Sequence, residues 1–417
     1  MPGKMKLTTM EKAWILYDVG NSAFILLVST LFPIYFNAVA QQDGLSSVDY
    51  LAYWGYATSA VTVIVAFSGP VLGTMTDFKG WKKPVFLSSM LLGTAGCMLL
   101  GFIRHWLAFL IVFVIAKCGF SASLIFYDAM LGDVTTQERM DEVSARGFAW
   151  GYIGSCIPFA AGLVLVLRAP DFGLSQMQAM TAAFCIAALW WFAATIPLWR
   201  SYRQLHYVPA QPHVVAGSFR RLADTLKNMR RHPRVFWFLL AFFCYIDGVY
   251  TIIDMATAYG TALGLDTTGL LLALLVTQIV AFPATLLFGR LSGKYSPRML
   301  ISVCIAAYTL ITVFGMTLDS QPKFWILAVC VGLFQGGVQA LSRSYFARII
   351  PQEQAGEYFG IFDICGKGAS FLGTMLVSIT SQVTHSIHYG IGSLIVLFIL
   401  GFFLFQKSCV CPEEGKR

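Results

Sequence analysis

Residues 106–131 read WLAFLIVFVIAKCGFSASLIFYDAML, a stretch in which only Lys117 and Asp128 carry charge. At 1.5 Å of rise per residue, a helix of this length crosses a hydrocarbon layer about 30 Å thick. In lipid every backbone N–H and C=O must be paired internally. Long apolar runs whose polar residues recur at helical spacing therefore form helices rather than a closed barrel.

The pattern repeats along the chain. Of the 417 residues, 57% are hydrophobic and 12% charged, and the mean hydropathy is +0.69. Soluble chains carry about 25% charged residues, so this one cannot coat a globule of its size. Apolar segments predict spans near 14–39, 51–76, 84–103, 106–131, 144–167 and 178–198, then near 234–258, 268–291, 299–318, 323–347, 358–384 and 387–406. The expected architecture is an all-α polytopic membrane protein of twelve transmembrane helices: a six-helix bundle over 1–199, a linker over 200–233, and a second six-helix bundle with a short tail over 234–417. Within the linker, Phe219, Leu222, Leu226 and Met229 recur among Arg220, Arg221, Lys227, Arg230 and Arg231. This amphipathic helix either lies on an anionic membrane face or is a solvated connector.

The net charge of +8 does not point to nucleic acid, because the basic residues lie almost entirely in alternate loops, the opposite loops holding little beyond Arg104, Arg168 and Lys323. Lys4, Lys6 and Lys12, then Lys79, Lys82 and Lys83, Arg139, the 200–234 stretch, Arg290, Lys294, Arg298, Arg348 and Lys407 share one side of a twelve-span arrangement. The positive-inside rule makes that side, and both termini, cytoplasmic. The first apolar stretch is too long for a cleavable signal peptide and is expected to stay as the first span. The ten cysteines are scattered as small apolar residues, with Cys409 and Cys411 in the tail. His385 and His388 read as surface residues, and no metal ligand set or cofactor motif is present. Most tryptophans, including Trp14, Trp54, Trp106, Trp190, Trp191 and Trp325, are expected to be interfacial anchors. Without a phosphate-cradling loop or a nucleophile set, an enzyme is not expected.

After the second span the chain reads Gly73-Thr-Met-Thr-Asp77-Phe-Lys79-Gly80-Trp-Lys82-Lys83. The glycines allow close helix approach and a tight turn. Asp77 can face a helix N-terminus or an arginine, and the lysines meet headgroups. This resembles the signature loop of the major facilitator superfamily. The equivalent Gly289-Arg-Leu-Ser-Gly293-Lys294-Tyr-Ser296-Pro-Arg298 looks like a degenerate copy, with Gly293 in place of the aspartate. Tyr17-Asp18-Val-Gly20-Asn21-Ser22, Gly336-Gly-Val-Gln339-Ala-Leu-Ser342-Arg343-Ser344 and Glu357-Tyr-Phe359-Gly360 resemble the vacuole-effluxer family, which includes autophagy-related amino-acid effluxers and bacterial permeases. The resemblance implies the major facilitator fold, two pseudo-symmetric bundles, rocker-switch alternating access and small-metabolite transport, with an amino acid as the lead. Its bacterial branch implies a bacterial inner membrane. The chain is expected to act as a monomer among membrane lipids, with a small-molecule substrate and protons as the coupling ion.

Ionisable groups deep in a bilayer cost several kcal/mol and turn inward. Asp18, Asn21 and Ser22 share a face of the first span, and Lys117, Ser121 and Asp128 one of the fourth. Asp247, Tyr250 and Asp254 share a face of the seventh, and Gln335, Gln339, Ser342 and Arg343 one of the tenth. In the fold implied by the resemblance these helices line the central cavity. Asp363 and Lys367 of the eleventh span form either a site or an intrahelical pair. Asp77, Asp133, Glu138, Arg139 and Arg146 are expected at gates and loops. A zwitterionic amino acid needs a buried acid and a buried base. Lys117 or Lys367 can take the carboxylate, and Asp247 or Asp254 the ammonium or the driving proton. Asp247 with Tyr250, opposite Lys117, is the favoured set. Alternatives are a lipid or lysolipid flipping carrier, a drug exporter, or a non-transporting receptor.

Overall fold

The computed structural model describes residues 6–209, 214–228 and 232–410, and is helical almost throughout. The first half contains α1 (Thr9–Ser29), α2 (Leu31–Gln42), α3 (Ser47–Thr76), α4 (Lys82–Leu100), α5 (Trp106–Ala129), α6 (Leu131–Val134), α7 (Met140–Leu167) and α8 (Gln176–Ser201). The linker carries α9 (Val214–Asn228). The second half contains α10 (Pro233–Ala262), α11 (Thr267–Leu291), α12 (Pro297–Gly315), α13 (Gln321–Ile349), α14 (Ala355–Thr384), α15 (Ile387–Gly392) and α16 (Leu394–Val410). Each predicted span begins and ends within about five residues of an observed helix or broken helix.

Among the described residues, ten helices are long and apolar enough to cross a membrane, and the bent pair α1 and α2 makes eleven. The helix α14 is as long, at 30 residues, and the count of twelve is not reached among the described residues. Pro33 explains the 41° bend between α1 and α2: its ring lacks an N–H and clashes with the carbonyl four residues back. The start of α1 is fixed by a capping box, in which Thr8 and Glu11 satisfy each other's backbone N–H groups.

Large apolar side chains such as Phe67 (78% exposed) and Leu310 (70%) cover the outside, while polar residues collect between helices. That inversion is what lipid as a solvent requires. The pairings α1 with α7, α3 with α5 and α4 with α5 recur in the second half as α10 with α14, α11 with α13 and α12 with α13. The halves meet through α3 against α14 and α7 against α11, two contacts related by the same pseudo-symmetry. Not every tryptophan is an interfacial anchor: Trp14 and Trp191 are fully buried, and Trp14 stacks on Tyr127 at 4.3 Å and donates its indole N–H to the Tyr127 carbonyl.

Candidate functional site

A cavity of about 630 Å³ lies between the halves. Polar lining comes from α1 (Asp18, Asn21), α5 (Lys117, Asp128), α10 (Tyr250, Asp254), α13 (Gln335, Gln339, Arg343) and α14 (Asp363). Helical spacing alone aligns each set, and the inward turn of each polar face follows from the cost of exposing it to lipid.

Arg343 forms the cavity floor and is 3% exposed. From the second half it donates to Asp128 Oδ1 at 2.9 Å, to the Ser144 hydroxyl at 2.9 Å and to the Ser144 carbonyl at 3.0 Å. Asp18 Oδ2 lies 3.8 Å away, and the guanidinium sits over the Phe148 and Trp14 rings. A planar, always-charged fork is suited to bridging two carboxylates and a hydroxyl at once. Arg343 therefore pins α13 to three helices of the first half.

Higher in the cavity, Lys117 stands 5.1 Å from the Phe120 ring centroid, and Lys117 and Asp254 line the same space from opposite halves. Asn21 donates to the Tyr17 carbonyl and to Asp18, and Tyr152 donates to Gln339 Oε1 at 3.2 Å. Asp247 departs from expectation. It is fully buried behind the cavity, accepting from the Gly373 N–H at 2.9 Å and from the Thr251 hydroxyl at 3.2 Å. The facing position on α10 belongs instead to Asp254, seven residues on and two helical turns nearer the cavity's open end. Asp363 lines the cavity, whereas the Lys367 side chain lies outside the described residues.

Below the floor, the halves are locked on the face that carries the basic loops. Asp77 accepts from the Gly356 and Glu357 N–H groups at 2.7 and 3.0 Å, capping α14 from the end of α3. Gly73 makes this approach possible, since a Cβ there would stand 2.2 Å from the Gly356 carbonyl oxygen. Gly80, at φ +81°, turns the chain so that Lys82 is buried 3.4 Å from Asp133, while Lys83 stays at the edge. Arg348 pairs with Asp141 at 2.7 Å, and Ser344 donates to the same carboxylate at 2.5 Å. The hydrogen bonds that Asp77, Arg343, Ser344 and Arg348 make between the halves lie between mid-depth and this face.

One gate expectation changes: among the described residues Arg146 forms its ion pair with Glu142, within α7. The linker helix α9 docks against α3 and leaves Phe219 exposed. Its Arg221 reaches Glu357 at 3.1 Å and Asp77 at 4.0 Å and covers Phe78, and Ser218 is buried, while Met229, Arg230 and Arg231 lie outside the described residues. Sequence reasoning missed the latch formed by Arg221 and Glu357 because both ends sit in polar segments where charge is ordinary.

Outside the spans, burial raises Asp133, but Lys82, His206 and Tyr202 more than offset it and hold the carboxyl below its usual range. The hydrogen bond to Asp133, at 2.9 Å, raises His206 in turn. Among the described residues no group of His, Cys, Asp or Glu is arranged to hold a metal ion, and His388 instead meets the Tyr259 hydroxyl at 2.9 Å.

A family model described as "Vacuole effluxer Atg22 like" matches residues 9–140 and 132–417. The "Uncharacterized MFS-type transporter YxiO" of Bacillus subtilis is 41% identical over 98% of this chain and 96% of its own length. Autophagy-related protein 22 of Eremothecium gossypii is 24% identical over 97% and 91%. In fold, the chain is similar to the major facilitator transporter FucP in its outward conformation, with a TM-score of 0.72 at 13% identity over 95% of this chain and 99% of that one. The motifs, the paired bundles and these matches together place the chain in the Atg22-like vacuole-effluxer family of major facilitator transporters, and it belongs to that family as an integral membrane protein.

Proposed function

We propose that this protein is a secondary carrier of a small zwitterion, an amino acid being the leading class, working by alternating access about the central cavity. The observation that carries the reading is the disposition of Lys117 and Asp254, opposite charges from opposite halves facing one space. An α-carboxylate suits Lys117 and an α-ammonium suits Asp254, and a ligand joining them joins the halves. Gln339, Gln335 and Tyr250 supply neutral donors and acceptors around it. The floor cluster, in which Asp18, Asp128 and Asp363 outnumber the single cation Arg343, supports a second role, as a switch that a proton can rearrange. Uptake of a proton by one of these carboxylates weakens its hold on Arg343 and frees the basic face to open.

The basic face is assigned to the cytoplasm by the loop asymmetry, which puts both termini there and makes the described arrangement outward-open. The basic and acidic lining makes a lipid substrate the weaker reading, since acyl chains gain nothing from ionic walls.

Counterflow in proteoliposomes, with labelled amino acids and other metabolites and with or without a pH gradient, tests the proposal. Lys117→Ala and Asp254→Asn are each expected to cut flux by at least about tenfold, the loss of one charge-assisted contact. Wild-type flux in both variants, in folded protein, removes the site. Absence of flux for every zwitterion, with flux of lysolipid or a cationic drug, removes the substrate class.

A further inference from the structure

Among the described residues, two amides on the wall of the central cavity carry a buried oxygen with no hydrogen-bond donor: Gln278 Oε1 of α11 and Gln335 Oε1 of α13. Gln335 is only 6% exposed. A buried acceptor left unpaired has lost its hydration without replacement, and such groups are rare in folded chains unless something else supplies the donor.

The two amides belong to one stretch of wall. Gly332 of α13 passes so close to α11 that a Cβ there would stand 2.8 Å from the Thr277 carbonyl oxygen. Gln278 follows Thr277 directly and Gln335 lies three residues beyond Gly332, so the side chains are about one turn apart. At 1.5 Å of rise per residue, Lys117, Gln278, Gln335 and Asp254 all lie about 12–21 Å from the helix ends opposite the basic face. The amides thus share a layer of the cavity with the acid and the base assigned above to the substrate.

The number of acceptors in this layer indicates the donor. A primary ammonium carries three N–H groups and no acceptor. One carboxylate and two amide oxygens are a complete set for it. The neutral amides add acceptors without adding another buried charge to desolvate. The terminal torsion of a glutamine is soft, so either oxygen can turn onto a ligand atom while its helix stays packed.

We propose that Gln278 and Gln335 complete an ammonium subsite with Asp254, so that the carrier selects primary amines over amines whose N–H groups are replaced by methyl. The inference rests on the zwitterion reading above and adds that the ammonium is read by its hydrogen bonds as well as by its charge. A site built to pair a substrate N–H rejects the analogue lacking it, because its own buried groups are then left unpaired.

Counterflow of each labelled proteinogenic amino acid, with its own N-methyl and N,N,N-trimethyl derivatives as competitors, tests this, since methylation removes donors while the positive charge stays. The unmodified amino acid is expected to compete at least about tenfold more strongly than the trimethyl derivative, with the N-methyl form between them. In the Gln278→Leu/Gln335→Leu double variant, apparent affinity for the unmodified amino acid is expected to fall by at least about tenfold, and that for the methylated forms by no more than about twofold. Gln335→Glu keeps an acceptor oxygen whichever way the side chain is turned and is expected to retain the preference. Lys117→Ala removes the partner of the carboxylate and is expected to weaken all three ligands alike. Equal competition by the three forms in wild type, or an equal loss for all of them in the double variant, overturns the subsite and leaves the carrier reading standing. No flux of any amino acid removes that reading and the subsite with it.

Discussion

Single residues divide into those that tie the halves together and those that face the central cavity. Arg343 belongs to the first group. Its loss leaves Asp128 and Asp18 without their cation in a buried site, where breaking such a pair costs about 3–5 kcal/mol. Arg343→Gln is therefore expected to speed hydrogen–deuterium exchange at the ends of α5 and α13 on the basic face, and Asp128→Asn on the same background to recover part of the protection. Protection equal to wild type in the single variant contradicts the pin. Asp247 belongs to neither group. As an acceptor for the Gly373 N–H behind the cavity it supports packing, so Asp247→Ala is expected to cost about 1–3 kcal/mol of stability while leaving the substrate KM within about twofold. A tenfold rise in KM at unchanged melting temperature restores it to the substrate site. His206 carries a pH signature. Its raised pKa means that its bond to Asp133 stabilises fully below the ordinary imidazole value of about 6.5 and is lost as pH rises through the higher folded value. Since the ring is partly solvated, the effect is about a few tenths of a kcal/mol. Wild type is expected to lose that much more stability than His206→Gln between about pH 6 and pH 9, and parallel pH profiles refute the assignment.

At the scale of elements, the junction of α3 and α14 joins the halves at the basic face. Its ingredients were legible in sequence as a motif: two glycines, an aspartate and lysines around a turn. Their physical roles were only partly legible. Asp77 caps a helix 279 residues away in sequence, and spacing within α3 cannot name that helix. Gly73→Ala must push α14 away, because its methyl would sit 2.2 Å from a carbonyl oxygen of the partner. The expected outcome is a population shifted toward an open basic face, read as a longer distance between spin labels at Lys83 and Lys294. An unchanged distance distribution counts against this contact as the closure point. The docked α9 adds Arg221 to the same junction. Its amphipathic pattern was visible, but the reach of Arg221 to Asp77 and Glu357 was not, because those partners lie more than a hundred residues away in sequence.

For the molecule as a whole, the bonds that Asp77, Arg343 and Ser344 make between the halves lie on one side of a charged cavity, as the proposed alternation of access requires of a closed end. What the amino-acid sequence determined alone was the solvent, the helices, their order and their polar faces. Those properties are local: an apolar run pairs its own backbone in lipid wherever its neighbours lie, and a polar stripe turns inward because lipid offers it nothing. Lys117, Asp128, Gln339 and Arg343 were found in this way. Only the tertiary structure decided that Asp254 rather than Asp247 faces Lys117, that Arg343 spends its charge on the first half, that Trp14 is core rather than anchor, and that Arg146 pairs within its own helix. Each of these depends on the rotation of a helix about its axis and on partners one or two hundred residues away, which are fixed by close packing between segments rather than by the composition of any one of them.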